Sequence, residues 1–147
     1  MKKVIVYFAT CFLAVSSIAA TPDSKILQRF NETFPNAQHV KWMDDKGGFF
    51  VSFMQNGNFN KVFYNTAGNF VYALKYCNVD GLPNNVIMGL NQQYGKSKVL
   101  GVTEVTTQNT MFYNVKLSKE NKLYDLNLLA DGSIAKETVY DDGASKN

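Results

Sequence analysis

The chain has 147 residues, of which 46% are hydrophobic, 14% aromatic and 18% charged, with a formal net charge of +3. This is the profile of an ordinary globular protein rather than a disordered or collagen-like one. The 15 basic residues are spread along the chain and only Arg29 is an arginine, so charge excludes a nucleic-acid footprint and no DNA or RNA partner is expected.

Lys2-Lys3 precedes an apolar run over 4–15, and Ser17-Ile18-Ala19 follows as a small-x-small cleavage signal. The segment 1–19 therefore reads as a secretory signal peptide. As a helix the apolar run would rise only about 18 Å, short of a bilayer core of about 30 Å. An exported protein of the periplasm or extracellular space is expected, with no membrane span after cleavage. Removing 1–19 takes away two lysines and no acids, and leaves thirteen basic against twelve acidic groups. It also removes Cys11, so Cys77 is left without an internal disulfide partner and stability must come from an apolar core. Tyr76 and Asn78 offer Cys77 no base or positive charge, so it reads as a half-buried strand residue rather than a nucleophile.

The first element of the exported portion is a helix. Thr21 is its N-cap candidate and Pro22 its first residue, Ile26, Leu27, Phe30 and Phe34 recur at helical spacing, and Pro35 ends it. Four aromatic and β-branched runs follow at 40–43, 49–54, 59–64 and 70–76, split by Asp44-Asp45-Lys46-Gly47, Asn56-Gly57 and Ala67-Gly68. They are predicted to be antiparallel strands joined by tight turns.

The order then returns. Leu82-Pro83 opens a second helical pattern in which Val86, Ile87, Leu90 and Tyr94 each stand 60 positions after Ile26, Leu27, Phe30 and Phe34. The strands align at an offset of 64, with Phe49, Val51 and Phe53 matching Tyr113, Val115 and Leu117. The four extra residues fall near the run 98–107, read as an extended first hairpin. Two helix-plus-four-strand units are predicted, at 20–80 and 81–141, with 142–147 as a disordered tail. The fold class is α+β, with the helices on one face of the antiparallel sheet.

The string FPNAQHVKW at 34–42, followed by Gly47-Gly48 and an aromatic strand, resembles the PepSY-like, β-lactamase-inhibitor-like exported proteins of Gram-negative bacteria. The resemblance spans roughly 24–140. It departs in the second unit, where Tyr94-Gly95 stands for the family's Tyr-Pro-Gly and the strand that follows has no match to Trp42. It implies tandem units forming a curved sheet and no catalytic residues, and it does not fix an activity.

Positions apolar in both copies are assigned to the core: Phe49, Val51 and Phe53 with Tyr113, Val115 and Leu117, and Val62 and Tyr64 with Leu126 and Leu128. The opposite strand parity is aromatic in the first copy and polar in the second. Phe50, Ser52 and Met54 match Asn114, Lys116 and Ser118, and Lys61 and Phe63 match Asp125 and Asn127. Phe50, Met54, Phe59, Phe63 and Tyr72 are thus the candidate partner-binding residues of an open sheet face, with Phe59 the weakest member because it matches Leu123. The competing reading buries them against the other unit or against a second copy of the chain. An unidentified protein or peptide partner is expected, or alternatively a small apolar ligand carried between the units.

Catalytic and metal chemistry find little support. His39 is the single histidine, too few for a typical zinc set and without a nearby nucleophile elbow. Asp44-Asp45 and Asp141-Asp142 lack the spacing of a calcium loop and read as solvated turns. Glu104 and Glu137 lie in no glycosidase signature. The sequon Asn31-Glu32-Thr33 falls within the predicted first helix. No enzymatic activity, no metal and no cofactor are expected.

Overall fold

The computed structural model describes residues 21–141. The predicted signal peptide, Cys11 and the predicted tail lie outside the described residues.

Helix α1 spans Ser24–Thr33. Its cap is Asp23, whose carboxylate accepts the N–H of Lys25 at 3.2 Å, so Thr21 and Pro22 precede the helix instead of opening it. An acceptor at this place satisfies one of the free N–H groups of the first turn. The helix buries Ile26 and Phe30 and closes with the N–H of Phe34 on the carbonyl of Phe30, one residue before Pro35.

Eight antiparallel strands follow in strict chain order: β1 Gln38–Asp45, β2 Gly48–Gln55, β3 Asn58–Asn65, β4 Phe70–Cys77, β5 Lys98–Thr107, β6 Met111–Lys119, β7 Lys122–Leu128 and β8 Ile134–Asp141. They form one curved sheet in which every strand pairs with its sequence neighbour. Between β4 and β5 the chain makes a short 3-10 turn, Val79–Gly81, and helix α2, Asn84–Tyr94. Among the described residues no helix is long and apolar enough to cross a membrane.

Several turns differ in detail from the sequence reading. Asp44 and Asp45 are the last residues of β1, and only Lys46-Gly47 forms the turn, with Gly47 at φ 101°. Asp141 likewise ends β8. The run 98–107 is a single strand paired to β4 on one side and to β6 on the other. Asn56-Gly57 behaves as expected, with both residues at positive φ, the twist that suits a two-residue hairpin. The β6–β7 hairpin adopts the same handedness with Glu120 and Asn121, at φ 53° and 60°, where a long side chain is strained. Replacing Glu120 by Asn and Asn121 by Gly is expected to stabilise the protein by about 1 kcal/mol. A urea midpoint that stays put or falls would contradict this.

Cross-strand register shows that both helices lie on the same side of the sheet. Under α1, Val51, Phe53, Val62 and Tyr64 are buried with Ile26 and Phe30. Under α2, Val102, Tyr113, Val115, Leu117, Leu126 and Leu128 are buried with Val86, Leu90 and Tyr94. The residues assigned to the core by their match between copies fall in these two clusters, Phe49 as a half-buried neighbour of the first. Phe30 is the centre of the first, with ring centroids 5.1 Å from Phe53, 5.3 Å from Trp42 and 5.4 Å from Phe34.

Each helix also rests on the turn between the last two strands beneath it. Arg29 of α1 reaches the carbonyl of Gly68 at 2.6 Å. At the corresponding place on α2 stands Gly89, and a Cβ there would lie 2.1 Å from the carbonyl oxygen of Gly132. The second helix therefore approaches its turn backbone to backbone.

Candidate binding face

On the side away from the helices, the strand register assembles three transverse rows of side chains. Residues paired across neighbouring antiparallel strands project to the same face. The first row runs Met43, Phe50, Phe63 and Tyr72. The second runs Lys41, Ser52, Lys61, Leu74, Val105 and Phe112. Met54, Phe59, Tyr76 and Thr103 make the third.

The aromatic rings of these rows pack on one another. Phe50 and Phe63 have centroids 4.7 Å apart, Phe63 and Tyr72 5.6 Å, and Phe50 and Tyr72 6.1 Å. Phe59 stacks on Tyr76 at 5.6 Å, and the ammonium of Lys61 stands 5.9 Å from the Phe59 ring. Such distances are those of favourable offset and edge contacts. Phe50, Met54, Phe63 and Tyr72 are half-buried, whereas Phe59 and Tyr76 are about two-fifths exposed, at 40% and 39%. Burial, then the carboxylate of Asp45, raises the phenol of Tyr72 above its ordinary pKa.

All five residues singled out from the sequence, Phe50, Met54, Phe59, Phe63 and Tyr72, therefore share this face. Ser52 also belongs to it but is only 7% exposed beneath its neighbours. The second half of the chain does not lie over the rings, because it continues the sheet edgewise from Tyr72↔Thr107 to Cys77↔Val102. The face is also larger than the sequence reading made it, since Met43, Leu74, Tyr76, Val105 and Phe112 join it. Beyond them it becomes mostly polar, apart from Leu123 and Tyr140: Asn114 donates to Asp125 and, at 2.9 Å, to Asn127, while Lys116 reaches Asp125 at 3.7 Å.

The side chains considered for catalysis are not brought together. His39 sits in β1 at a bulge with φ 54°, and Cys77 ends β4. Three strand spacings separate them, about 14 Å. Cys77 is half-buried and its thiol is pushed up by that burial, which disfavours a thiolate. Glu104 and Glu137 are likewise three strands apart, on β5 and β8, beyond the separation of about 9.5 Å that a glycosidase pair tolerates. Glu104 instead bridges Lys75 at 3.1 Å, and Glu137 stands near Tyr94, whose phenol is pushed up to about 12, first by burial and then by that carboxylate. Among the described residues no three His, Cys, Asp or Glu side chains gather as a metal set would require.

A second concavity lies beside α1 on the helix side. It is an open groove of about 550 Å³ lined by Arg29, Thr33, Phe34, Tyr64, Asn69, Phe70 and Gln108.

No family model matches the chain, and no curated protein matches it in sequence. Solved structures do match its fold. A BLIP-like protein from Bacteroides fragilis superposes with a TM-score of 0.76 at 19% identity, over 87% of this chain and 93% of that one. A DUF2874 family protein from Bacteroides ovatus gives 0.73 at 24% identity, over 86% and 93%. A protein from Bacteroides eggerthii, provisionally described as periplasmic, gives 0.71 at 15% identity, over 86% and 94%.

Proposed function

We propose, from the premise that this chain has the fold of the BLIP-like and DUF2874 proteins, that it is an exported, non-enzymatic binding module whose open sheet face holds a protein or peptide partner. The observation that carries the reading is the packed ring row of Phe50, Phe63 and Tyr72 on the sheet face opposite both helices. Contiguous partly exposed apolar surface of this kind commonly marks a contact site, and aromatic side chains dominate binding energy where they are covered. Export rests on the leader pattern at 1–19, and the periplasmic description of the B. eggerthii neighbour supports it. The two halves, 20–80 and 81–141, are read as copies of one helix-plus-four-strand unit. A helix on the same side of each supports that reading.

The test is a cross-linked pull-down from the native envelope and medium with residues 20–147 as bait, beside a Phe50→Ser/Phe63→Ser variant of unchanged circular dichroism. Capture should fall at least about tenfold with the variant, the scale of removing two covered aromatic anchors. Equal capture by both baits, or an unfolded variant, would identify the rings as structural.

The groove beside α1 favours a second reading, a carrier of a small apolar ligand, since Phe34, Tyr64 and Phe70 line a volume of about 550 Å³, within the range of small-molecule sites. Native mass spectrometry of undenatured protein should then show a retained adduct, and a clean apo mass would exclude it.

A further inference from the structure

The open face is charged as well as apolar, and its net charge is positive. Register places Lys41, Lys61, Lys98, Lys116 and Lys136 on it, against Asp45 and Asp125. The remainder of the described chain carries seven basic and nine acidic groups. The described chain, with twelve basic and eleven acidic groups, is thus polarised, positive on the face away from its helices and negative elsewhere. Asp125 is already engaged by Lys116. Among the described residues neither Lys41 nor Lys61 forms an ion pair.

Lys98 and Lys136 likewise form no ion pair among the described residues, but Lys41 and Lys61 are the two that stand among the rings. Lys41 and Lys61 flank Ser52 in the middle row, two strand spacings or about 10 Å apart, between the ring row of Phe50, Phe63 and Tyr72 and the row of Met54, Phe59 and Tyr76. Lys41 is exposed and Lys61 half-buried, and a lysine stem laid along apolar surface leaves its ammonium accessible to an opposite charge.

Resting on the reading of this face as a binding surface, we infer that its partner is an acidic segment of another protein, one that alternates carboxylates with apolar side chains. The carboxylates meet Lys41 and Lys61 while the apolar side chains cover the rings on either side. A second copy of this chain fits poorly, because two such faces would oppose lysine to lysine. A lipid surface fits less well than a peptide, because Phe50, Phe63 and Tyr72 are half-buried and packed side by side instead of protruding as wedges that could enter a bilayer.

The probe is a random-peptide display library panned on residues 20–147, with the enriched sequences remade synthetically and their binding measured on the parent, on Phe50→Ser/Phe63→Ser and on Lys41→Gln/Lys61→Gln. Enriched peptides should combine Asp or Glu with aromatic or aliphatic residues. They should lose binding to the Phe variant and weaken about tenfold on the Lys variant, with a similar loss as salt rises from about 0.05 to 0.5 M. Lys41→Glu/Lys61→Glu should weaken them further and take up peptides of inverted charge. Peptides that need Phe50 and Phe63 but carry no excess of acids and ignore the Lys variants would overturn the inference and leave the binding face standing. Peptides indifferent to the Phe variant would overturn both. Enrichment of nothing, or binding only to phosphatidylglycerol vesicles, would also overturn the acidic-partner assignment.

Discussion

Phe30→Ala is expected to cost about 3–5 kcal/mol, enough to bring a domain of ordinary stability, about 5–15 kcal/mol, close to unfolding at room temperature. The ring is 2% exposed and meets Phe34, Trp42 and Phe53 within 5.4 Å. Those neighbours come from the end of α1, from β1 and from β2, so no single element can close the gap. Leu27→Ala, on the same helix at a half-buried position, supplies the control and should cost about 1 kcal/mol. Urea unfolding of the two variants measures the difference. Equal losses would mean that α1 is not anchored through Phe30.

Gly89→Ala should destabilise by about 3 kcal/mol, against the usual sign. Within a helix the exchange normally gains about 1 kcal/mol from propensity alone. Here the new Cβ would lie 2.1 Å from the carbonyl oxygen of Gly132, whose own backbone is fixed by a positive φ of 87°. Neither atom belongs to a side chain that can rotate away, so α2 must lift from the β7–β8 turn, and overpacking of this kind costs about 1–3 kcal/mol or more. A thermal midpoint equal to or above that of the parent would show that the helix has room to shift. The first half makes the same junction differently: with Arg29 at the matching place, the guanidinium spans the gap to Gly68 and its aliphatic stem leaves the groove beside Phe34 and Phe70 open.

How far the sequence could be read depended on whether a strand has one wet face. β2 and β3 alternate between core and open side with no interruption in their pairing to each other, so their apolar parity put Phe50, Met54 and Phe63 on the side of the sheet where the register has them. β1 lies at the sheet edge with all but Trp42 exposed, so burial imposed no alternation that could show Asp44 and Asp45 continuing the strand. β4 is half-buried along nearly its whole length and apolar on both parities, which hid Leu74 and Tyr76. In β5 the register shifts between Val99 and Gly101. That bulge turns Val99 and Val102 to the same side although they are three residues apart, and counting by twos through it misplaces Val105. Glu120 does not advertise the positive φ that it adopts with Asn121, and Asn121, although it tolerates that region, marks the turn only weakly without a glycine beside it. The helix starts were legible to within two residues, since Asp23 competes as a cap with Thr21 and only the carboxylate of Asp23 reaches the free N–H of Lys25.

The strict chain order of the strands bears on how the protein reaches its native state. Six of the seven strand pairings join segments separated only by a short turn, so each can form as a local hairpin, on a timescale of about 1–10 μs. Only β4 and β5 must wait, because the 3-10 turn and α2 lie between them. Closing a connection of that length costs more entropy than a two-residue turn, though the penalty grows only logarithmically. In this eight-stranded meander the pairing of β4 with β5, the one with the longest intervening chain, is therefore expected to be the slowest of the seven to form.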